Sequence, residues 1–166
     1  MRAGIALGSN LGDRLATLRA ARAQLSELPK LEKPLLVSAV YETDPIGCEP
    51  NAPPFLNAVI EIGYSGDARA LLGELRQIEA ALGRPVMHER NASRTLDLDL
   101  LYFGETQPSE SDLQLPHPRM RERRFVLEPL YDIRPELVLP AQREDVATLL
   151  NHLPATPPLV RVVTEW

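Results

Sequence analysis

The spacing of apolar residues switches repeatedly along the first hundred positions, and the order of those switches constrains the fold more than any other feature of this chain. Ala3 to Leu7 is a short apolar strand. Leu15, Leu18, Arg22, Leu25 and Leu28 then recur at helical spacing, so a helix is expected to run to about Leu28. Pro29 and Pro34 punctuate its exit, and Leu35 to Glu42 reads as a second strand rich in β-formers. Phe55 to Tyr64 is a third strand. Phe55, Asn57, Val59 and Glu61 share one of its faces, and Leu56, Ala58, Ile60 and Ile62 the other. Asp67 suits the N-cap of a second helix with the stripe Leu71, Leu72, Leu75, Ile78 and Leu82, which Gly83 stops. Arg94 to Phe103 alternates again as a fourth strand. Strand-helix-strand-strand-helix-strand is the order of a ferredoxin-like split βαβ core, an α+β fold in which helices pack on one face of an antiparallel sheet. Extra C-terminal elements follow. A segment opening at Pro116-His117-Pro118 turns helical near Arg121 and runs to about Tyr131, a short helix spans Glu144 to Leu153, and Leu159 to Val163 could close the sheet.

The fourth strand also carries the strongest chemical signal. Asp97 and Asp99 are two residues apart, so they project from the same face while the leucines project from the other. Asp is depleted in strands, and a hard cation gives two of them a reason to be there. Magnesium takes oxygen ligands and binds through one or two carboxylates plus substrate phosphates. Arg94, just upstream, could meet the same phosphates. The plain alternative is a half-solvated antiparallel strand with two surface carboxylates.

Charge and cysteine content narrow the classes. The chain has 166 residues, 44% hydrophobic and 25% charged, and is expected to form one domain over 1–166. Its formal charge of −5 argues against a general nucleic-acid binder. No long apolar run or signal-peptide pattern is present, and the single Cys48 fits a reducing compartment, so a cytoplasmic protein with no membrane partner is expected. Lysine occurs only at Lys30 and Lys33, whereas seven arginines lie between Arg84 and Arg124. Arginine's planar fork suits bidentate phosphate contacts.

Other residues carry weaker signals. Gly8-Ser9-Asn10-Leu11-Gly12 sits between a strand and a helix but lacks the ending of a phosphate-binding P-loop, so a structural turn is the reading. Asn57 offers an amide suited to the edge of a heterocycle, and Phe55 on the same face could stack on its ring. Phe125 lies beside the arginines and could face Phe55 across a slot, or be ordinary core. His117 is bracketed by prolines and has no zinc-like partners. Glu79, one turn before Gly83-Arg84, is a surface charge by default, with reaching the site or pairing with Arg76 or Arg84 as the alternatives.

Taken together these segments resemble the 6-hydroxymethyl-7,8-dihydropterin pyrophosphokinases of folate biosynthesis. The resemblance rests on Ile5 to Asp13, Tyr41-Glu42-Thr43-Asp44-Pro45-Ile46-Gly47, Phe55-Leu56-Asn57-Ala58, Gly83-Arg84, Arg94 to Leu100, and Pro116 to Met120 running into Arg123-Arg124-Phe125 and on to Leu130. It implies transfer of a pyrophosphoryl unit from ATP, as co-substrate, to the pterin hydroxymethyl group, with AMP released. It further implies that Asp97 and Asp99 hold two Mg2+ ions. Phe55 and Phe125 would sandwich the ring, with Asn57 and the stretch Thr43, Asp44, Pro45 and Ile46 on its edge. Glu79, Arg84, Arg94, His117 and Arg123 would bind ATP, Arg84 and Arg94 acting in catalysis. The chain departs from the family at Asn91-Ala92-Ser93, where many members carry Trp-Gly-Pro, at Arg76, where Gln is frequent, and at Val86, where an arginine can stand. Two other classes share the fold or the metal. A non-catalytic sensor does not need paired carboxylates facing arginines, and a nucleotide hydrolase does not need the Phe55, Asn57 and Phe125 set. A monomer is expected.

Overall fold

The computed structural model describes residues 1–45, 52–83, 95–156 and 158–166. Its elements are β1 (Arg2–Ser9), α1 (Arg14–Ser26), β2 (Leu31–Val37), β3 (Val40–Thr43), β4 (Phe55–Tyr64), α2 (Ala68–Ala81), β5 (Asp97–Phe103), a small hairpin of β6 (Ser109–Glu110) and β7 (Leu113–Gln114), a 3-10 turn (Met120–Glu122), α3 (Arg124–Ile133), α4 (Val146–His152) and β8 (Val160–Val163). The six-stranded sheet runs β5-β1-β4-β3-β8, with β2 also pairing β4, and all its pairs are antiparallel. Placing the first strand between the last and the third of the core is what a split βαβ unit requires. Among the described residues no helix is long and apolar enough to cross a membrane.

Local chemistry sets the helix starts. Asp13 Oδ1 accepts from Ala16 N–H (3.0 Å) and Asp67 Oδ1 from Ala70 N–H (2.7 Å), each occupying a donor that a first helical turn leaves open. Gly83 follows α2 at φ +92°, the left-handed conformation expected just past a helix end. The second strand is not continuous over Leu35 to Glu42. It begins earlier, at Leu31, and breaks at Ser38-Ala39. The break keeps its polar groups paired: Ser38 N–H donates to Val59 O (3.0 Å), Val59 N–H to Ser38 Oγ (2.9 Å), and Ala39 N–H to Asp132 Oδ2 (3.1 Å).

Both faces of the sheet are covered, where helices on one face were expected. On one face α1 and α2 bury Leu18, Leu25, Leu71 and Leu75 against Ile5, Leu7, Ile60 and Leu98. On the other, α3 and α4 bury Val126, Leu127, Leu130 and Leu149 against Val59 and Leu101. Burial of these apolar side chains contributes about 1.5–3 kcal/mol each by transfer.

A bulge in β5 shapes that second face. Ile5 lies opposite Leu100 and Gly4 opposite Tyr102, with Leu101 as the extra residue. A strict period of two would send Tyr102 to the side of Leu98 and Leu100. Instead Leu101 and Tyr102 both join the second core, and Phe103 returns to the first. The Tyr102 ring lies across Gly4, where an added Cβ would come within 2.2 Å of Tyr102 Cε1. Tyr102 Oη reaches Glu61 Oε2 at 2.5 Å. Glu61 is fully buried and also takes Arg2 Nη2 (2.6 Å) and Arg134 Nε (2.9 Å). Burial alone would push the Glu61 carboxyl up, but the hydrogen bonds from Arg134, Tyr102 and Arg2 outweigh it and hold it below the usual range.

Candidate active site

The register of the sheet assembles the site as a row. Asp97 in β5 and Asn57 in β4 both lie opposite Gly8 in β1, so all three share one face across three strands. A Cβ on Gly8 would stand 3.6 Å from Asn57 Oδ1 and 3.9 Å from the Asp97 Cβ. The bare glycine therefore leaves an open floor between a carboxylate and an amide. Asp99 occupies the next row, opposite Ala6. One further row lies at the mouth, where Thr43 in β3 pairs with Phe55 in β4, and Asn57 Nδ2 donates to Thr43 Oγ1 (2.8 Å). Thr43, Phe55, Asn57, Asp97 and Asp99 thus come from three strands onto one surface, as alternation in the strands predicts.

Glu79 differs from its default reading as a surface charge. It is 6% exposed, and its Oε1 accepts from Leu98 N–H at 2.8 Å. The physical reason is the sheet edge. β5 is the last strand, so an outward N–H between the two aspartates needs an acceptor from elsewhere. Glu79, one face of α2 away, supplies it and fixes the strand between Asp97 and Asp99.

His117 and Arg123 close over the carboxylates from the C-terminal side. His117 N–H donates to Leu101 O (2.7 Å), anchoring its segment to β5. Burial pushes the His117 imidazole below its ordinary range. Asp99 pulls it up, while Arg123 and Arg119 push it down further. The neutral ring accepts from Arg119 N–H at Nδ1 (3.3 Å), which leaves the proton on Nε2 as a donor. Arg123 Nη1 is 3.6 Å from Asp99 Oδ2, and its guanidinium carbon lies 5.5 Å from the Phe125 ring centre. Arg123 therefore bridges the carboxylate end and the aromatic end.

Two cavities flank this bridge. One, of about 320 Å³, is lined by Arg76, Glu79, Asp97, Asp99, Gln114 and His117. The other, of about 170 Å³, includes Thr43, Asp44, Arg123, Arg124 and Phe125 in its walls. Pro45 ends the described part of the loop after β3. Ile46, Arg84 and Arg94 lie outside the described residues, as do Val86 and Asn91-Ala92-Ser93. The β6-β7 hairpin, whose Gln114 lines the first cavity, leaves no signal in the sequence. Its strands are two residues long, too short for any period to register.

Among the described residues no group of three or more His, Cys, Asp or Glu could hold a metal by itself. Two carboxylates on one strand face suit a hard cation that completes its shell with phosphate oxygens and water.

The class that fold and relatives define is a pyrophosphokinase. The family model described as 7,8-dihydro-6-hydroxymethylpterin-pyrophosphokinase (HPPK) matches residues 4–135, and the chain belongs to that family. A relative from Bacillus subtilis, named 2-amino-4-hydroxy-6-hydroxymethyldihydropteridine pyrophosphokinase, is 47% identical over 129 residues, 78% of this chain and 75% of its own. A protein of the same name from Methylorubrum extorquens is 41% identical over 150 residues, 89% of this chain and 93% of its own. Among solved structures, Plasmodium falciparum HPPK-DHPS superposes with a TM-score of 0.71 at 15% identity, covering 90% of this chain and 44% of that one. That likeness bears on the fold, and this chain spans less than half of the Plasmodium protein.

Proposed function

We propose that this chain transfers the terminal pyrophosphoryl unit of ATP to the hydroxymethyl oxygen of 6-hydroxymethyl-7,8-dihydropterin, a step of folate biosynthesis. The observation that carries the reading is the row Asp97-Gly8-Asn57, which sets a carboxylate for phosphate-bound metal beside an amide for a heterocycle edge with open space between them.

In this reading Asp97 and Asp99 would hold two Mg2+ ions against the triphosphate. Bound there, the metal would neutralise phosphate charge and align the reacting oxygens. The chain's own residues do the rest. Phe55 and Phe125 sandwich the pterin ring, Asn57 bonds its edge, and the stretch Thr43 to Ile46 reads the remainder. Glu79, His117 and Arg123 line the ATP side, with His117 donating from Nε2 to a phosphate oxygen. Arg84 and Arg94 bind charge that grows toward the transition state. The hydroxymethyl oxygen attacks the β-phosphorus in line. The bond from that phosphorus to the α-bridging oxygen breaks, AMP leaves with the electron pair, and the hydroxyl proton passes to solvent. Positioning and charge stabilisation supply most of the rate in such transfers. The protein acts as a cytoplasmic monomer of one domain over 1–166, with two small molecules and neither nucleic acid nor membrane as partners.

The test is to mix the protein with ATP, magnesium and 6-hydroxymethyl-7,8-dihydropterin and to identify the nucleotide released. AMP in step with pterin pyrophosphate is expected. ADP would mean an ordinary kinase or ATPase and would overturn the proposal.

A further inference from the structure

The match to the family model stops at residue 135, yet the chain beyond it returns to the site. Leu153, Pro154, Thr156, Pro158 and Leu159 form the far side of the 170 Å³ cavity whose near side holds Thr43 and Phe125. The sheet register explains how. β8 runs antiparallel to β3 with Tyr41 opposite Arg161 and Glu42 opposite Val160. The residue before β8, Leu159, therefore falls level with Thr43, which itself lies opposite Phe55. Phe55, Thr43 and Leu159 continue one row across the mouth of the site, on the same face.

One carboxylate holds this arrangement. Asp132, on α3, accepts from Arg161 Nη2 (2.5 Å), from Tyr41 Oη (3.0 Å) and from Ala39 N–H (3.1 Å). Arg161 Nη2 also donates to Tyr41 Oη (2.7 Å), with its guanidinium carbon 5.4 Å from the Tyr41 ring centre. Asp132 thereby ties together the helix that carries Phe125, the strand that carries Thr43 and the tail that carries Leu159. Its side chain is 15% exposed while that of Arg161 is half-exposed, so the bonds from Tyr41 and Ala39 are better shielded from water than the pair with Arg161. Trp166 adds a second fastening, donating from Nε1 to Ser38 O at 2.8 Å.

We propose that the C-terminal tail is the outer wall of the ring-substrate pocket, with Leu159 as a specificity-determining residue and Asp132 as the residue that positions it. The inference rests on the pyrophosphokinase reading. The wall is apolar except at Thr156 and meets the edge of a flat fused heterocycle away from its hydroxymethyl group, since the phosphate-side residues Asp97 and Asp99, with His117 beside them, lie at the opposite edge of the sheet. A bulkier residue at 159 would crowd the ring, while release of Asp132 would let Thr43 and Phe125 drift apart.

Steady-state constants for 6-hydroxymethyl-7,8-dihydropterin and for ATP, measured separately on wild type, Leu159→Trp, Asp132→Asn and Asp132→Glu, test this, with thermal unfolding alongside. Leu159→Trp should raise the KM for the pterin roughly tenfold with the KM for ATP unchanged. Asp132→Asn should move the pterin KM in the same direction by less, and Asp132→Glu should recover part of the loss. A pterin KM for Leu159→Trp within about twofold of wild type, or equal rises for both substrates, overturns the wall while leaving the wild-type activity standing. A wild type that releases no AMP overturns the reading of the site and the wall with it.

Discussion

Gly4 and Gly8 lie on the same face of β1, and the two ends of that face use a missing side chain in opposite ways. At Gly4 the space is filled. Tyr102 lies across it to reach Glu61, and Arg2 and Arg134 complete a sealed cluster. At Gly8 the space stays open between Asp97 and Asn57, with only van der Waals distances to either. Both rows are built from the same three strands, β4, β1 and β5. The difference is that a ring lies across one row, whereas at the other a glycine leaves room beside a carboxylate and an amide. Burial of charge is stable only when it is paired, so the Glu61 end is scaffold. The proposed function puts its ligand at the other end, on the floor that Gly8 leaves beside Asp97 and Asn57.

Breaking the open end should cost activity first. Asp97→Ala or Asp99→Ala should lower turnover by about a thousandfold or more, with the unfolding midpoint little changed because both side chains are partly exposed. Wild-type rates in either variant would remove the metal assignment.

Breaking the sealed end should do the reverse. Glu61→Gln leaves two guanidiniums facing a neutral amide and should destabilise the fold by about 2–3 kcal/mol, a figure held down by the partial exposure of Arg2 and Arg134. Activity per folded molecule should persist, and a variant of full stability but no turnover would contradict the division. The cluster also sets a pH dependence. With its folded carboxyl held below the usual 4.5, Glu61 contributes stability that is complete above that pH and is lost as pH falls through the folded value. Denaturant titrations from pH 6 downward should show this loss in wild type and a flatter profile in Glu61→Gln.

Gly4→Ala should destabilise by about 1–3 kcal/mol through overpacking against Tyr102, again with activity per folded molecule retained. Asn57→Ala, at the open end, should weaken pterin binding by about 10- to 100-fold and ATP binding hardly at all. Calorimetric titration with each ligand would decide it, and equal losses for both would count against the pocket.

How much of this was legible in the sequence follows from the range of the interactions. Elements set by local period and capping were readable: β4 runs over Phe55–Tyr64 as expected, and Asp67 caps α2. The shared face of Asp97 and Asp99 follows from alternation alone. The second core was not readable, because it depends on α3 and α4 returning to a face whose residues look half polar in β4. Tyr102 was hidden by the bulge at Leu101, which reverses the side that a period of two assigns. Glu61 stood out in an apolar strand, but its partners Arg2 and Arg134 are 59 and 73 residues away. Glu79 looked like a solvated helix charge because the donor it satisfies belongs to a strand edge. Two same-parity glycines in β1 were the available signal for both rows, since glycine weakens a strand unless something lies close above it.

The most direct test of the division between the two ends is the turnover of Gly8→Val under saturating ATP, magnesium and 6-hydroxymethyl-7,8-dihydropterin. The substitution fills the open floor without removing any charged or hydrogen-bonding group. Turnover per folded molecule should fall by about tenfold or more, because misplacement on the order of 1 Å at a reacting centre is that costly. Wild-type turnover with the floor filled would show that the reacting groups meet elsewhere.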